Sequence, residues 1–205
     1  MFSGIVQEIG KIKLRHFSDE ILTLEIAFDS AAQCRIGDSV AVNGVCLTVV
    51  AISDEKQARF EVVAETLRKT TLATLSQADE VNIELALRYG DPVGGHLVSG
   101  HIDGVAEIET IQKEGGALLV RFGADKSWLN YMVDKGFITI DGMSITLIEV
   151  LEDSFTVSFI PQTITATIVK NYKPDTKVNI EIDAMGKQIY KYLDHLNIYS
   201  QAGVK

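Results

Sequence analysis

The chain has 205 residues, of which 46% are hydrophobic, so it can form a packed core and is not a disordered polymer. Nineteen Lys and Arg residues against 28 Asp and Glu residues give a net charge of −9, which disfavours nucleic acid as a partner. The sequence has no apolar run of about 18 residues and no signal-peptide pattern, so we expect a cytoplasmic protein without a membrane partner.

The sequence is an internal duplication of two similar halves. Four blocks recur in the same order at a spacing of 96 to 98 residues, which is the size of a small domain and too long for a solenoid repeat. We therefore predict two homologous domains, at 1–97 and 98–184, followed by a tail at 185–205. The matched blocks are 3–12 with 99–108, 37–48 with 135–146, 66–70 with 163–167, and 81–84 with 178–181.

Each repeat has the pattern of an all-β domain. Short runs rich in Val, Ile, Thr and Phe alternate with polar residues and end at Gly, Asp or Ser. Asn43-Gly44 and Asp141-Gly142 each separate two such runs, which is a strong hairpin signal. Many short antiparallel strands favour a small closed barrel in each half, with short helical turns at 67–75 and 126–132. The predicted strands of the first repeat are 21–27, 39–42, 46–51, 60–63 and 81–85.

The tail breaks the repeat. From Lys187 onward, four apolar side chains recur at helical spacing, which predicts a helix with one apolar stripe. The stripe can pack on its own chain or join copies of the chain. The residues of the stripe are Ile189, Tyr192, Leu193 and Leu196.

Residues that differ at matched positions can give the two halves different chemistry. Ile5 in the first repeat corresponds to His101 in the second, and Cys46 corresponds to Ser144. Cys46 could be a small core residue and His101 a turn residue, but both fall inside the repeated blocks. His96 is interpreted as structural, and the four histidines have no metal-binding spacing, so no metal site is predicted.

Six segments together carry a resemblance that covers essentially the whole chain. The sequence resembles the riboflavin synthases of the alpha-chain type, a family of duplicated lumazine-binding barrels. The resemblance implies two tandem six-stranded Greek-key barrels and a C-terminal helix that forms a homotrimer. The segments are the opening Met-Phe-Ser-Gly-Ile-Val, 43–48, 94–101, 135–137, 141–146 and 178–183.

The resemblance also implies a reaction that needs no cofactor. One 6,7-dimethyl-8-ribityllumazine gives a four-carbon unit to another, which yields riboflavin and 5-amino-6-(D-ribitylamino)uracil. The productive site would lie between the N-terminal barrel of one subunit and the C-terminal barrel of its neighbour. Association with lumazine synthase is left open.

The site residues are carried over position by position. The catalytic candidates are His101, Cys46, Ser144 and Thr146, with Phe2 near the N-terminal site and His101 near Cys46. Gln162 stands where some relatives carry an acid. The N-terminal pocket would comprise Gly4, Ile5, Val6, Cys46, Leu47, Thr48, Glu61, Val62, Val63, Ala64, Glu65 and Thr66. The C-terminal pocket would comprise Gly100, His101, Ile102, Lys135, Ser144, Ile145, Thr146, Ser158, Phe159, Ile160, Pro161, Gln162 and Thr163.

The chemistry suits these residue types. A histidine near neutral pH can remove an acidic 7-methyl proton, and hydroxyls can hold developing charge. The acceptor ring can be activated by the Cys46 thiolate, a ribityl hydroxyl or water. The rival function is a non-catalytic lumazine- or flavin-binding fluorescent protein of the same fold, a class that tends to lose the Cys and His retained here. A flavin-reductase-like barrel is disfavoured because no nicotinamide fingerprint is present.

Overall fold

Within residues 1–54 and 56–201, which the computed structural model describes, the chain folds into two closed barrels of six antiparallel strands each. The N-terminal barrel contains β1 (Glu8–Ser18), β2 (Ile21–Ala27), β3 (Ser39–Val42), β4 (Val45–Asp54), β5 (Gln57–Val62) and β6 (Glu80–Leu85). The C-terminal barrel contains β7 (Gly104–Glu114), β8 (Ala117–Gly123), β9 (Phe137–Ile140), β10 (Met143–Val150), β11 (Ser154–Phe159) and β12 (Lys177–Ile182).

The two barrels have the same topology. The strands of the first follow the order β1-β2-β5-β4-β3-β6 around the barrel, and those of the second follow β7-β8-β11-β10-β9-β12. The third strand of each barrel therefore lies between the fourth and the sixth, as in a Greek key. The predicted pair of six-stranded Greek-key barrels with a C-terminal helix is confirmed.

The alternation of side chains along each strand fills the barrels. In β2, Leu22, Leu24 and Ile26 are fully buried, while the residues between them are half-buried on the outer side. In the C-terminal barrel, the rings of Phe122 and Phe155 stack with their centroids 5.2 Å apart. Each barrel thus has its own apolar core, and the functional groups must come from its outer face and its connections.

Short helices connect the strands, and one longer helix follows β12. The α-helices are α1 (Ala64–Lys69), α2 (Lys126–Leu129), α3 (Pro161–Ala166) and α4 (Ala184–Gln201), and 3-10 turns occur at Asp29–Gln33, Thr71–Thr74 and Ile168–Asn171. The predicted helical turn at 67–75 is split at Thr70, which is extended and whose hydroxyl accepts a hydrogen bond from the Leu72 N–H. The helical turn predicted at 126–132 is shorter in the structure, where α2 ends at Leu129.

The C-terminal helix α4 contacts the C-terminal barrel through Tyr190, whose ring packs edge-on against Tyr131 with a centroid distance of 4.9 Å, but it leaves other apolar side chains exposed. Ile189, Tyr192 and Leu193 are 55%, 67% and 52% exposed. The last four residues of the predicted tail, 202–205, lie outside the described residues. Among the helices that the structure describes, none combines the length and the hydropathy needed to cross a bilayer.

The barrels meet at the tips of their matched hairpins. Asn43, Gly44, Asp141 and Gly142 all have positive φ angles, as a tight two-residue hairpin turn requires. A Cβ atom added to Gly44 would lie 2.6 Å from the backbone nitrogen of Gly142, and the reverse distance is 2.8 Å. Glycine is needed here both for the turn and for the close approach of the two backbones.

A buried polar network joins the barrels around this contact. The Asn82 side-chain amide donates to the Asp141 carbonyl (2.8 Å), and the Asn179 amide donates to the Asn43 carbonyl (2.9 Å). The network breaks the symmetry of the repeat at one place, where the Tyr172 hydroxyl donates to the Asp141 carboxylate (2.6 Å). Burial raises the pKa of Asp141 to about 7, although hydrogen bonds from Tyr172 and Asn179 act against that rise.

Candidate active sites

The opening segments of the two repeats cross between the barrels. Phe2 and Val98 pair through two backbone hydrogen bonds of 2.8 and 3.0 Å. Beyond this bridge, the Gly4 carbonyl accepts from the Ser144 N–H (2.7 Å), whereas the Gly100 carbonyl accepts from the Cys46 N–H (2.9 Å). Each opening segment therefore lies against the barrel of the other repeat.

This arrangement corrects the grouping predicted for the two pockets. The first opening segment, with Gly4, Ile5 and Val6, belongs with Ser144 of the C-terminal barrel, and Val6 packs on that barrel's core. The second segment belongs with Cys46 of the N-terminal barrel, and its Ile102 packs on the N-terminal core. The expectation that His101 lies near Cys46 agrees with this geometry.

Glycine is required at both crossing points. Gly4 and Gly100 have φ angles of +73° and +79°, which side chains rarely adopt. A Cβ atom on Gly4 would lie 2.6 Å from the Cβ of Ser144, and one on Gly100 would lie 2.5 Å from the Cβ of Cys46. The repeated Ser-Gly pair therefore brings the backbone into direct contact with the two residues that distinguish the halves.

Two buried glutamates hold these segments. The Glu84 carboxylate accepts from the Ser3 N–H (2.7 Å), the Ser3 hydroxyl (2.8 Å) and the Gly4 N–H (3.1 Å). The Glu181 carboxylate accepts from the Ser99 N–H (2.7 Å), the Ser99 hydroxyl (2.6 Å) and the Gly100 N–H (2.9 Å). Burial raises the pKa of Glu84, and the hydrogen bonds from Ser3 and Gly4 oppose that rise. Sequence reasoning missed both roles, although the repeat at 81–84 and 178–181 contained the signal.

The N-terminal site is a cavity of about 360 Å³ on the outer face of the barrel. Half-buried Cys46 and exposed His101 both line it, together with Thr66 at the first turn of α1. A thiol, an imidazole and a hydroxyl thus face one space. The full lining is Val45, Cys46, Glu65, Thr66, Lys69, Thr70, Gly100, His101, Ile102 and Asp103.

The remaining residues predicted for the N-terminal side differ in what they can offer a ligand. Leu47, Val62 and Phe2 are buried, and the Phe2 ring lies behind Gly100, within 3.0 Å of where a Cβ would stand. Their side chains serve the core or the contact between the barrels. The residues that present side chains on the outside are Thr48, Glu61, Val63, Ala64 and Glu65, which are exposed or half-buried.

The C-terminal site is organised by His96, which the sequence pattern predicts to be a structural residue. His96 Nδ1 lies 2.6 Å from the Ser144 hydroxyl, and its Nε2 lies 3.2 Å from the Thr139 hydroxyl. The ring stacks on Phe137 with a centroid distance of 5.0 Å. Burial lowers the pKa of His96, against the opposing effect of the Asp183 and Glu181 carboxylates, so the imidazole is neutral at pH 7.

The segment before His96 passes very close to Ser144, and this close approach makes the His96–Ser144 contact possible. A Cβ atom on Gly95 would lie 2.4 Å from the Ser3 carbonyl oxygen and 2.5 Å from the Ser144 Cβ. Only glycine fits there, and it delivers the next residue, His96, to the Ser144 hydroxyl. The two glycines before His96 were the available sequence signal for a close backbone contact, but which residue they contact depends on where this segment packs.

The other residues predicted for the C-terminal side lie around Ser144 or on the matched strand and turn. Phe159 is buried in the core, and half-buried Ile145 packs against the same core. Lys135 is exposed in a left-handed conformation (φ +65°). The predicted residues with exposed or half-buried side chains are Thr146, Ser158, Ile160, Pro161, Gln162 and Thr163.

Comparisons with known proteins agree with this architecture. The family model of the lumazine binding domain matches the chain twice, at residues 3–86 and 99–183. The chain is 39% identical to a riboflavin synthase of Bacillus subtilis over 96% of the chain and 92% of that protein. It is 42% identical to a riboflavin synthase of Chlamydia pneumoniae over 91% of the chain and 92% of that protein.

Solved structures show the same fold. The crystal structure of LumP complexed with riboflavin superposes with a TM-score of 0.83 at 28% identity, covering 89% of this chain and 99% of LumP. LumP complexed with 6,7-dimethyl-8-(1'-D-ribityl) lumazine gives a TM-score of 0.80 with the same coverage. The duplicated family match and the identity to full-length relatives lead to one conclusion: the chain belongs to the lumazine binding domain family and, within it, to the riboflavin synthases.

Proposed function

We propose that this protein is a riboflavin synthase, a transferase that converts two molecules of 6,7-dimethyl-8-ribityllumazine into riboflavin and 5-amino-6-(D-ribitylamino)uracil. The observation that carries the proposal is the pair of similar sites with different reactive groups. Cys46 and His101 line one site, and Ser144 with His96 forms the other. A reaction between two identical substrates needs two similar binding sites that treat their ligands differently.

Each site brings a nucleophile and an imidazole to the same place. In the C-terminal site, the neutral His96 ring is hydrogen-bonded to the Ser144 hydroxyl and can take up a proton there. In the N-terminal site, Cys46 and His101 share the cavity. One site needs a base that removes a 7-methyl proton from the donor lumazine, and the other needs a nucleophile that activates the acceptor ring.

Hydroxyls and backbone groups would hold the two rings. Thr48 and Thr146 are matched and exposed beside the two sites, and we assign them to hydrogen bonds with the heterocycle. The strand ends and turns at 61–66 and 158–163 are also matched and would contact the ring system and its ribityl chain. The four-carbon transfer then depends on holding two substrates in register.

We also propose that the working enzyme is a homotrimer in the cytoplasm, with each productive site between two subunits. Apolar side chains around the sites are exposed in the single chain: Ile5 by 47%, Val63 by 54% and Ile160 by 57%. Helix α4 exposes a further apolar stripe, which favours contact between copies over packing on its own barrel. Association with lumazine synthase remains a proposal based on the resemblance.

The test is incubation of the purified chain with 6,7-dimethyl-8-ribityllumazine and no added cofactor. Formation of riboflavin and the pyrimidine in a one-to-one ratio is expected, measured by absorbance after chromatography. Binding of the lumazine without turnover would contradict the enzyme and support the second candidate function, a lumazine- or flavin-binding protein. That alternative is favoured by the fold shared with the riboflavin complex of LumP.

A further inference from the structure

The segment that carries His101 ends in an ion pair with the C-terminal helix. The Asp103 carboxylate accepts from the Lys187 ammonium at 3.0 and 2.9 Å and from the Ile182 N–H at 2.8 Å. The Asp103 N–H donates in turn to the Ile180 carbonyl (2.9 Å). The Lys187 and Asp103 side chains are 34% and 24% exposed, so most of this pair is shielded from water.

His101 lies between this anchor and a second one. On its N-terminal side, Gly100 is fixed by the Glu181 carboxylate and by the hydrogen bond from Cys46 to its carbonyl. On its C-terminal side, Asp103 is fixed by β12 and by Lys187. The His101 side chain itself is exposed, so the position of its imidazole over the cavity depends on these two anchors.

The other repeat lacks the ion pair. At the position of Asp103 it has Gln7, whose neutral amide oxygen accepts from the Leu85 N–H (3.1 Å). The residue that corresponds to Lys187 is Gly90, and the residue that corresponds to His101 is Ile5. The ion pair therefore occurs only in the half in which the segment presents an imidazole.

We infer that Asp103 and Lys187 are positioning residues that couple the seating of α4 to the N-terminal site. The pair fixes the segment 101–103 over Cys46, so an α4 that leaves the barrel also loosens His101. This inference rests on the proposed function for its role in catalysis. The geometry of the segment can nevertheless be tested without any turnover.

The experiment compares Lys187→Met and Lys187→Arg in the full chain, with Lys191→Met as the control. Lys191 lies one turn further along α4, is exposed, and lines with Lys187 a groove against Trp128 and Tyr131. The first readout is the rate at which iodoacetamide alkylates Cys46, located by peptide mass spectrometry, because Gly100 packs against the Cys46 side chain and His101 lines the same cavity. The second is the dissociation constant for riboflavin, measured by fluorescence. The third is the separate effect of each variant on kcat and on KM with the lumazine as substrate.

Lys187→Met should raise both the Cys46 alkylation rate and the riboflavin dissociation constant about three- to tenfold, and it should lower kcat. Arginine can donate to both carboxylate oxygens, so Lys187→Arg should restore the values of the parent chain. A Lys187→Met variant with unchanged alkylation and affinity would overturn the inference, as would an equal effect of Lys191→Met. If the parent chain alkylates and binds as described but makes no riboflavin, the proposed function fails and the positioning role stands.

Discussion

The crossed segments predict that a mutation in one barrel acts on the site of the other. Glu84 and Cys46 lie in the same barrel, in register on either side of Ala41. Glu181 lies in the C-terminal barrel, yet it holds the Ser99-Gly100 backbone, and Gly100 packs against Cys46. Glu181→Gln should therefore loosen the site at Cys46, and Glu84→Gln should not.

The size of the effect follows from the hydrogen bonds. Glutamine keeps one oxygen for Ser99 but turns an amide N–H2 group toward the Gly100 N–H. A hydrogen bond to a charged group contributes about 1.5–3 kcal/mol, and the bonds that remain become neutral and weaker. A loss of about 2 kcal/mol corresponds to about a thirtyfold larger open population, so we expect about tenfold faster alkylation of Cys46 once partial relaxation is allowed for.

The assay is the iodoacetamide alkylation rate of Cys46, read by mass spectrometry in the parent chain and both variants. Cys34 is the internal reference, because it is buried in the N-terminal core. Glu84→Gln should leave the Cys46 rate within about twofold, since the Glu84 carboxylate accepts from Ser3 and Gly4 and not from the Ser99-Gly100 segment. Faster alkylation in Glu84→Gln than in Glu181→Gln would refute the crossed arrangement.

Three further predictions concern pH dependence, chemistry and assembly. Native Asp141 (pKa about 7) keeps a proton that the unfolded chain releases from about pH 4, so its contribution to stability falls as the pH rises from about 4 to 7. Asp141→Asn should remove this pH dependence and raise the melting temperature at pH 8 by roughly 2–4 °C. A melting-temperature difference between Asp141→Asn and the parent chain that is larger at pH 4 than at pH 8 would contradict this prediction. Cys46→Ser and His101→Gln should each lower the single-turnover rate more than ligand affinity; parent-like rates in both would exclude their role in the chemistry. Truncation after Asp183 removes the apolar stripe of α4 and should dissociate the proposed trimer in sedimentation, whereas a truncated chain that still sediments as a trimer would place the interface elsewhere.

Local patterns were enough to identify the repeat, the hairpins and five strands of the first barrel, but β1 (Glu8–Ser18) was not among the predicted strands. The predicted strands 21–27 and 39–42 match β2 and β3, because strict alternation and a following Asn-Gly turn are properties of neighbouring residues. The helix predicted from Lys187 begins three residues earlier, at Ala184. The break at Thr70 was missed, because a threonine hydroxyl that caps the next turn looks like any other polar residue in a periodic run.

The repeat and its turn signals are sufficient to predict a duplicated β protein in which Cys46, Ser144 and His101 distinguish the halves. Which barrel each opening segment serves, and the pairing of His96 with Ser144, can be seen only in the folded chain. These contacts join residues that are 48 to 140 positions apart, such as Gly4 with Ser144. Both opening segments carry the same Ser-Gly motif, so local sequence preference does not determine whether a segment packs on its own barrel or on the other one. The choice is made by backbone hydrogen bonds and core contacts that exist only once both barrels have formed.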